Sequence, residues 1–218
     1  MWTVEKARDF IRGAVDEEQP FLAVVWFGNP HLPHEAWPEL KKLYADQPEK
    51  LANYWAEITG MDRALGKLRE ELRSLGVADN TLLWYTSDNG ATTPGSTGGL
   101  SGKKGNLLEG GIRVPAMIEW PAKIRSGRAV EMPCGTVDIY PTVLELAGAK
   151  VEHQPPLDGV SLAGVINGKQ QQRTKPLGFW VYPTGGKPMR SSAMLTAQMN
   201  EPADAPLSAK THNGPVKA

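Results

Sequence analysis

An α/β fold is predicted by three features of this sequence. Two apolar runs, Phe21 to Phe27 and Leu82 to Thr86, carry no polar alternation and read as strands covered on both faces. Between them Tyr54, Ile58, Met61, Leu65, Leu68, Leu72 and Leu75 recur at alternating spacings of four and three, the period of a helix with one buried face. Glycine- and proline-bearing turns follow both runs, so strand and helix patterns alternate as α/β proteins require.

The elements follow in order. Thr3 can cap a first helix whose Val4, Ala7, Ile11 and Ala14 share a face and which ends near Asp16-Glu17-Glu18. Pro20 opens the first strand, and Gly28-Asn29-Pro30-His31-Leu32-Pro33-His34 stops it, because its prolines cannot continue regular structure. The long helix begins near Pro48 and stops at Gly76, with Asp62, Arg63, Lys67, Arg69, Glu70, Glu71 and Arg73 forming a solvated face. Asp79-Asn80 turns the chain into the second strand, and Val114 to Trp120 makes a third. Asp138 can cap a helix running through Tyr140, Val143, Leu144 and Leu146 to Gly148, with Pro141 tolerated in the first turn. From about Lys169 the glutamines, prolines and glycines predict loops, one short strand near Leu177 to Val181, and a polar tail from Asn200 to Ala218.

Composition limits the function. At 218 residues the chain can bury a core of roughly 70% of its unfolded surface. Lys and Arg number 24 and Asp and Glu 24, which argues against a protein built to bind a nucleic-acid backbone. No apolar run approaches the roughly 20 residues needed to span a bilayer, and residues 1–8 lack the apolar centre of a signal peptide. A single cysteine, Cys134, excludes an internal disulfide framework and a multi-thiolate zinc site.

Ser87-Asp88-Asn89-Gly90 closes the second strand and presents a carboxylate and a carboxamide at its mouth, where a hard cation or an anionic group can be held. Read alone, an Asp-Asn-Gly turn is also a common way to end a strand. Downstream, Gly102-Lys103-Lys104-Gly105 and Glu109-Gly110-Gly111-Ile112-Arg113-Val114-Pro115 supply a flexible loop with a potential anion-binding cation. A P-loop over Gly98 to Lys104 fails, since its glycine spacing is one short and no Ser or Thr follows the lysine. Trp26, Trp84 and Trp120, in or beside apolar strands, read as core.

These motifs, with Asn29-Pro30-His31-Leu32-Pro33, Met61-Asp62, Trp120-Pro121, Asp138-Ile139-Tyr140-Pro141-Thr142 and Leu157-Asp158-Gly159-Val160-Ser161-Leu162, occur in one unbroken order over residues 1 to about 182. In that order the chain resembles the later part of a type I sulfatase, of the arylsulfatase kind within the alkaline-phosphatase-like superfamily. The resemblance implies that superfamily's sheet sandwiched by helices, here incomplete: a partial catalytic domain over residues 1–168, and the start of a small C-terminal region over 169–218. It implies hydrolysis of sulfate monoesters, with a sulfated small molecule or glycan as substrate.

By the same resemblance, Asp88 and Asn89 match metal ligands of the family, for which Ca2+ suits all-oxygen ligation, with Mg2+ as the other hard cation. Lys104 matches the lysine that contacts the sulfate, and His31 the histidine that donates to a sulfate or bridging oxygen. Glu109 and Arg113 are expected to brace the Gly-rich loop, and Lys103 to be solvated. The family's nucleophile is a formylglycine made from a Cys or Ser two residues before a proline and four before an arginine. No such pattern occurs within residues 1–218, nor does the family's early pair of aspartates, so the first half of such a domain is expected to lie upstream and this polypeptide alone to be inactive. Family members are usually exported, which suggests a periplasmic or secreted protein. A phosphodiester or phosphonate hydrolase of the same superfamily and a non-catalytic anion- or partner-binding remnant are the alternatives; the specific sulfate ester and the oligomeric state are not encoded in these motifs.

Overall fold

A computed structural model of the chain describes residues 2–125 and 127–179. It divides into two compact units. The first comprises residues 1–83, 93–95 and 119–122; the second comprises 84–92, 96–118 and the chain from 123 onward.

The first unit is built on two helices, α1 (Trp2–Asp16) and α3 (Glu49–Ser74). Val4 and Ile11 of α1 are buried against Ala64, Leu68 and Leu72 of α3, each large side chain contributing about 1.5–3 kcal/mol by leaving water. Because α1 already includes Trp2, Thr3 lies inside its first turn and is not its cap. The long helix ends as Gly76 predicts. Gly76 adopts φ +70°, its N–H bonds to Arg73 O at 3.0 Å, and Val77 N–H bonds to Leu72 O at 3.0 Å.

The deepest face of α3 is made by Ala52, Ala56, Glu57, Ala64, Leu68, Glu71 and Leu72. Several residues of the apolar series, among them Tyr54, Ile58 and Leu65, are only half-buried beside it. Glu71 is a correction to the solvated face. Its carboxylate is held by Arg8 (Nε 2.8 Å, Nη2 2.6 Å) and Arg12 (Nε 2.5 Å, Nη2 2.8 Å), both on α1. Hydrogen bonds from Arg12 and then Arg8 hold this carboxyl below the ordinary glutamate range. Arg69 likewise pairs with Glu119, at 2.6 and 3.0 Å.

Phe21 to Phe27 alternates half-buried and exposed residues with a period of two but forms no strand, which corrects the expectation of one covered on both faces. Phe21, Val25 and Phe27 pack on the α1–α3 core, whereas Leu22, Val24 and Trp26 are 63, 71 and 81% exposed. Alternate side chains of an extended chain point to opposite sides, and only one side here meets packed residues. Within these 218 residues Trp26 is therefore exposed and lies outside the α1–α3 core. After this run, α2 (Pro38–Lys41) and a 3-10 turn (Lys42–Tyr44) lie along α3: Leu40 meets α3 at Gly60, and the Tyr44 hydroxyl is 2.6 Å from Thr59 Oγ1.

A two-stranded sheet pairs β1 (Leu83–Thr86) with β2 (Ala116–Glu119), close to the strands the sequence predicts. The second unit adds α4 (Glu109–Ile112), α5 (Ile139–Ala147) and α6 (Ala163–Ile166). Trp84 packs on a cluster of Met132, Leu162 and Val165. Asp138 precedes α5 but does not cap it with its side chain. Its carboxylate instead receives Gly135 N–H and Val160 N–H at 2.8 Å each, and Arg173 Nη1 and Nη2 at 2.6 and 2.8 Å. Gly159 fits there because a Cβ would stand 2.0 Å from Val137 O. Leu177 to Phe179 forms no strand; Trp180, Val181 and the tail Asn200–Ala218 lie outside the described residues.

Candidate functional site

The loop after β1 and the Gly-rich loop are tied backbone to backbone. Gly90 N–H donates to Gly111 O at 2.9 Å, Gly110 N–H to Ser101 O at 2.7 Å, and Lys104 N–H to Ala91 O at 3.0 Å. Such closeness needs residues without a side chain. A Cβ on Gly90 would stand 1.9 Å from Gly110 O, one on Gly110 2.3 Å from Gly102 O, and one on Gly111 2.1 Å from Asn106 O. Gly102 and Gly105, at φ +84° and +87°, turn the chain on either side of the two lysines. The glycines of the motif are thus a knot that holds Asp88-Asn89 beside the backbone of Lys104.

The candidate side chains on these loops differ in exposure. Asp88 and Lys104 are exposed and Asn89 is half-buried. Asn89 Nδ2 donates to Asp88 Oδ2, which leaves the other carboxylate oxygen and the Asn89 amide oxygen as acceptors. Ser87 Oγ donates to Asn89 O at 3.0 Å and braces the turn. Lys103 is exposed, and its N–H is taken by Asn106 Oδ1 at 3.0 Å. Arg113 Nη1 reaches Glu109 Oε2 at 2.8 Å across one turn, the bracing pair expected from the sequence. Among the described residues no group of three or more His, Cys, Asp or Glu could hold a metal ion. Asp88 and Asn89 fit a hard cation in kind, yet fall short of the roughly six to eight oxygens that calcium takes.

His31 lies in the first unit, exposed on the loop after Phe27. Its Nδ1 donates to Leu32 O at 2.8 Å, which leaves Nε2 as the nitrogen directed to other chemistry. Sequence reasoning passed over its neighbour His34, whose side chain is 6% exposed and whose Nδ1 meets Glu57 Oε2 at 2.9 Å. The signal was a glutamate falling on the same arc of α3 as Ala52, Ala56 and Ala64. Arg173, the partner of Asp138, carried no comparable signal.

The Sulfatase family model matches residues 3–149 of the chain. Steryl-sulfatase of Rattus norvegicus is 38% identical over 176 residues, covering 76% of this chain and 29% of the rat protein. Arylsulfatase G of Mus musculus is 30% identical over 211 residues, covering 90% of this chain and 38% of its own. Among solved structures, Ps i-CgsB in complex with k-i-k-neocarrahexaose aligns with a TM-score of 0.74 at 31% identity, over 80% of this chain and 40% of that one. The PsFucS1 sulfatase from Pseudoalteromonas sp. aligns at 0.66 and 30% identity, over 77% and 34%. The chain belongs to the sulfatase family, and its fold is a part of the alkaline-phosphatase-like architecture those neighbours share. It spans about a third of the length of these curated relatives. No described helix is long and apolar enough to cross a membrane.

Proposed function

We propose that this chain contributes to hydrolysis of a sulfate monoester, in which the bridging S–O bond breaks, water is consumed, and the alcohol leaves with a proton. The observation that carries this reading is the glycine knot, which fixes Asp88-Asn89 and the Lys104 backbone to one another. Negative charge grows on the sulfuryl oxygens and on the leaving oxygen, so cations and donors aimed there lower the barrier. Asp88 and Asn89 would hold calcium, or magnesium in its place, and such a cation neutralises sulfuryl charge when bound. Lys104 would present its ammonium to the sulfate, and His31, whose Nδ1–H is engaged by Leu32 O, would turn Nε2 toward an ester oxygen and donate to it only as the imidazolium. A sulfated glycan or small molecule is the substrate class.

Residues 1–218 carry no site for formylglycine, so the nucleophile is not among them, and this polypeptide alone does not turn over sulfate esters. Two measurements test the reading. Calcium titrated calorimetrically into the 218-residue chain binds at millimolar levels, and Asp88→Ala abolishes even that; micromolar binding dependent on Asp88 would show a site already complete. Turnover of an activated aryl sulfate by the same chain with calcium, lost on Asp88→Ala, would show that no further residues are needed and overturn the proposal of inactivity.

A further inference from the structure

The loop that displays His31 is anchored by a buried carboxylate. Glu57, on the deepest face of α3, is 6% exposed, and each of its oxygens holds a different group of the loop. Oε2 takes His34 Nδ1–H at 2.9 Å, and Oε1 takes the Glu35 backbone N–H at 2.9 Å. Tyr54 stacks edge-on against the His34 ring at 5.1 Å, one turn before Glu57. Asn53 Oδ1 adds a longer contact to Ala36 N–H at 3.4 Å.

A glutamate placed on an alanine-lined helix face is costly unless its oxygens are bonded, so the loop and the carboxylate fix one another. Only Leu32 and Pro33 separate His31 from His34, and the ring of Pro33 locks its own φ. One torsion between anchor and display is thereby removed. The His34 Nε2 is buried with no hydrogen-bond partner, so the ring is held by its Nδ1 bond to Glu57 and by the edge-on contact with Tyr54.

We propose that Glu57 is a positioning residue for His31: through His34 and the Glu35 N–H it sets the path of the loop that presents the His31 imidazole to a sulfate group. This rests on the reading of His31 as a substrate-contacting residue.

The test uses the 218-residue chain, whose four histidines are few enough to assign by ring nitrogen NMR, with inorganic sulfate as the probe. Glu57→Ala is expected to raise amide exchange over residues 31–36 by at least about tenfold, to shift the His31 ring signals, and to weaken their response to sulfate by a similar factor. Glu57→Gln keeps an acceptor for Glu35 N–H and turns a donor toward His34. It is expected to flip His34 from the Nδ1–H to the Nε2–H tautomer while largely restoring the His31 signals. Unchanged loop exchange and unchanged His31 signals in Glu57→Ala, with α3 amides still protected, would overturn the proposal. Should that variant fail to fold, His34→Phe removes the ring bond alone, and an unaltered loop there overturns it equally. His31→Ala separates the two readings, with sulfate binding followed in wild type and variant by the backbone amide shifts of residues 28–36: an unaffected amide response in that variant sinks the role of His31, and with it the functional claim for Glu57, whatever the exchange data say of the loop.

Discussion

Replacing Gly90 by alanine puts the glycine knot under direct test. The new Cβ would stand 1.9 Å from Gly110 O, 2.8 Å from Gly110 C and 2.9 Å from Gly111 Cα, all backbone atoms that no rotamer can move. Carbon and oxygen settle at about 3.3 Å, so the two loops must part by about 1.4 Å. That separation breaks the 2.9 Å bond from Gly90 N–H to Gly111 O. Overpacking costs about 1–3 kcal/mol and a buried backbone bond about 1 kcal/mol, so Gly90→Ala should destabilise by about 3 kcal/mol. Gly66→Ala is the control. Gly66 lies within α3 with nothing inside 4 Å of its virtual Cβ, and alanine there should stabilise by about 0.5–1 kcal/mol. Both are read by urea denaturation of the 218-residue chain, followed by tryptophan fluorescence. A Gly90→Ala midpoint equal to wild type, with Gly66→Ala behaving as stated, would refute the claim that backbone proximity holds Asp88-Asn89 against the Lys104 loop.

Two further outcomes concern acid stability and association. Burial works against the Asp138 carboxylate, but bonds from Arg173, Val160 N–H and Gly135 N–H outweigh it and hold its carboxyl below the ordinary aspartate range. A carboxyl depressed on folding contributes stability that is present above the unfolded aspartate range and is lost as pH falls through the folded value, so Asp138→Asn should flatten the acid limb of a stability profile. At neutral pH the same change should cost about 3 kcal/mol by leaving Arg173 unpaired; an unchanged acid limb in thermal melts between pH 3 and 7 would contradict it. Leu22, Val24 and Trp26 form an exposed apolar row, so Trp26→Lys with Val24→Lys should lower self-association in sedimentation velocity, and equal association in both forms would assign it elsewhere.

Much of the fold is legible in the sequence because it is local. The longer helices α1, α3 and α5 follow from period, and their ends from residues such as Gly76, whose left-handed φ needs no tertiary information. The order of motifs likewise suffices to identify the family. Burial is a different matter. Phe21 to Phe27 has the composition of a strand covered on both faces, yet coverage depends on what packs alongside, and here one face meets solvent.

The sequence by itself therefore determined the helices α1, α3 and α5, the two short strands, the sulfatase motifs and the candidate residues His31, Asp88, Asn89 and Lys104. Only the tertiary structure decided which glycines are indispensable, since close approach between Gly90, Gly110 and Gly111 is a distance between segments about twenty residues apart. It also decided the fate of three carboxylates. Glu71 read from the sequence as a solvated helix residue and Asp138 as a cap, and Glu57 carried no reading; all three are buried anchors because their partners, His34 for Glu57, Arg8 with Arg12 for Glu71, and Arg173 for Asp138, arrive from 23, 63, 59 and 35 residues away. A carboxylate's role is set by the charges and donors around it, and those are supplied by folding rather than by sequence neighbours.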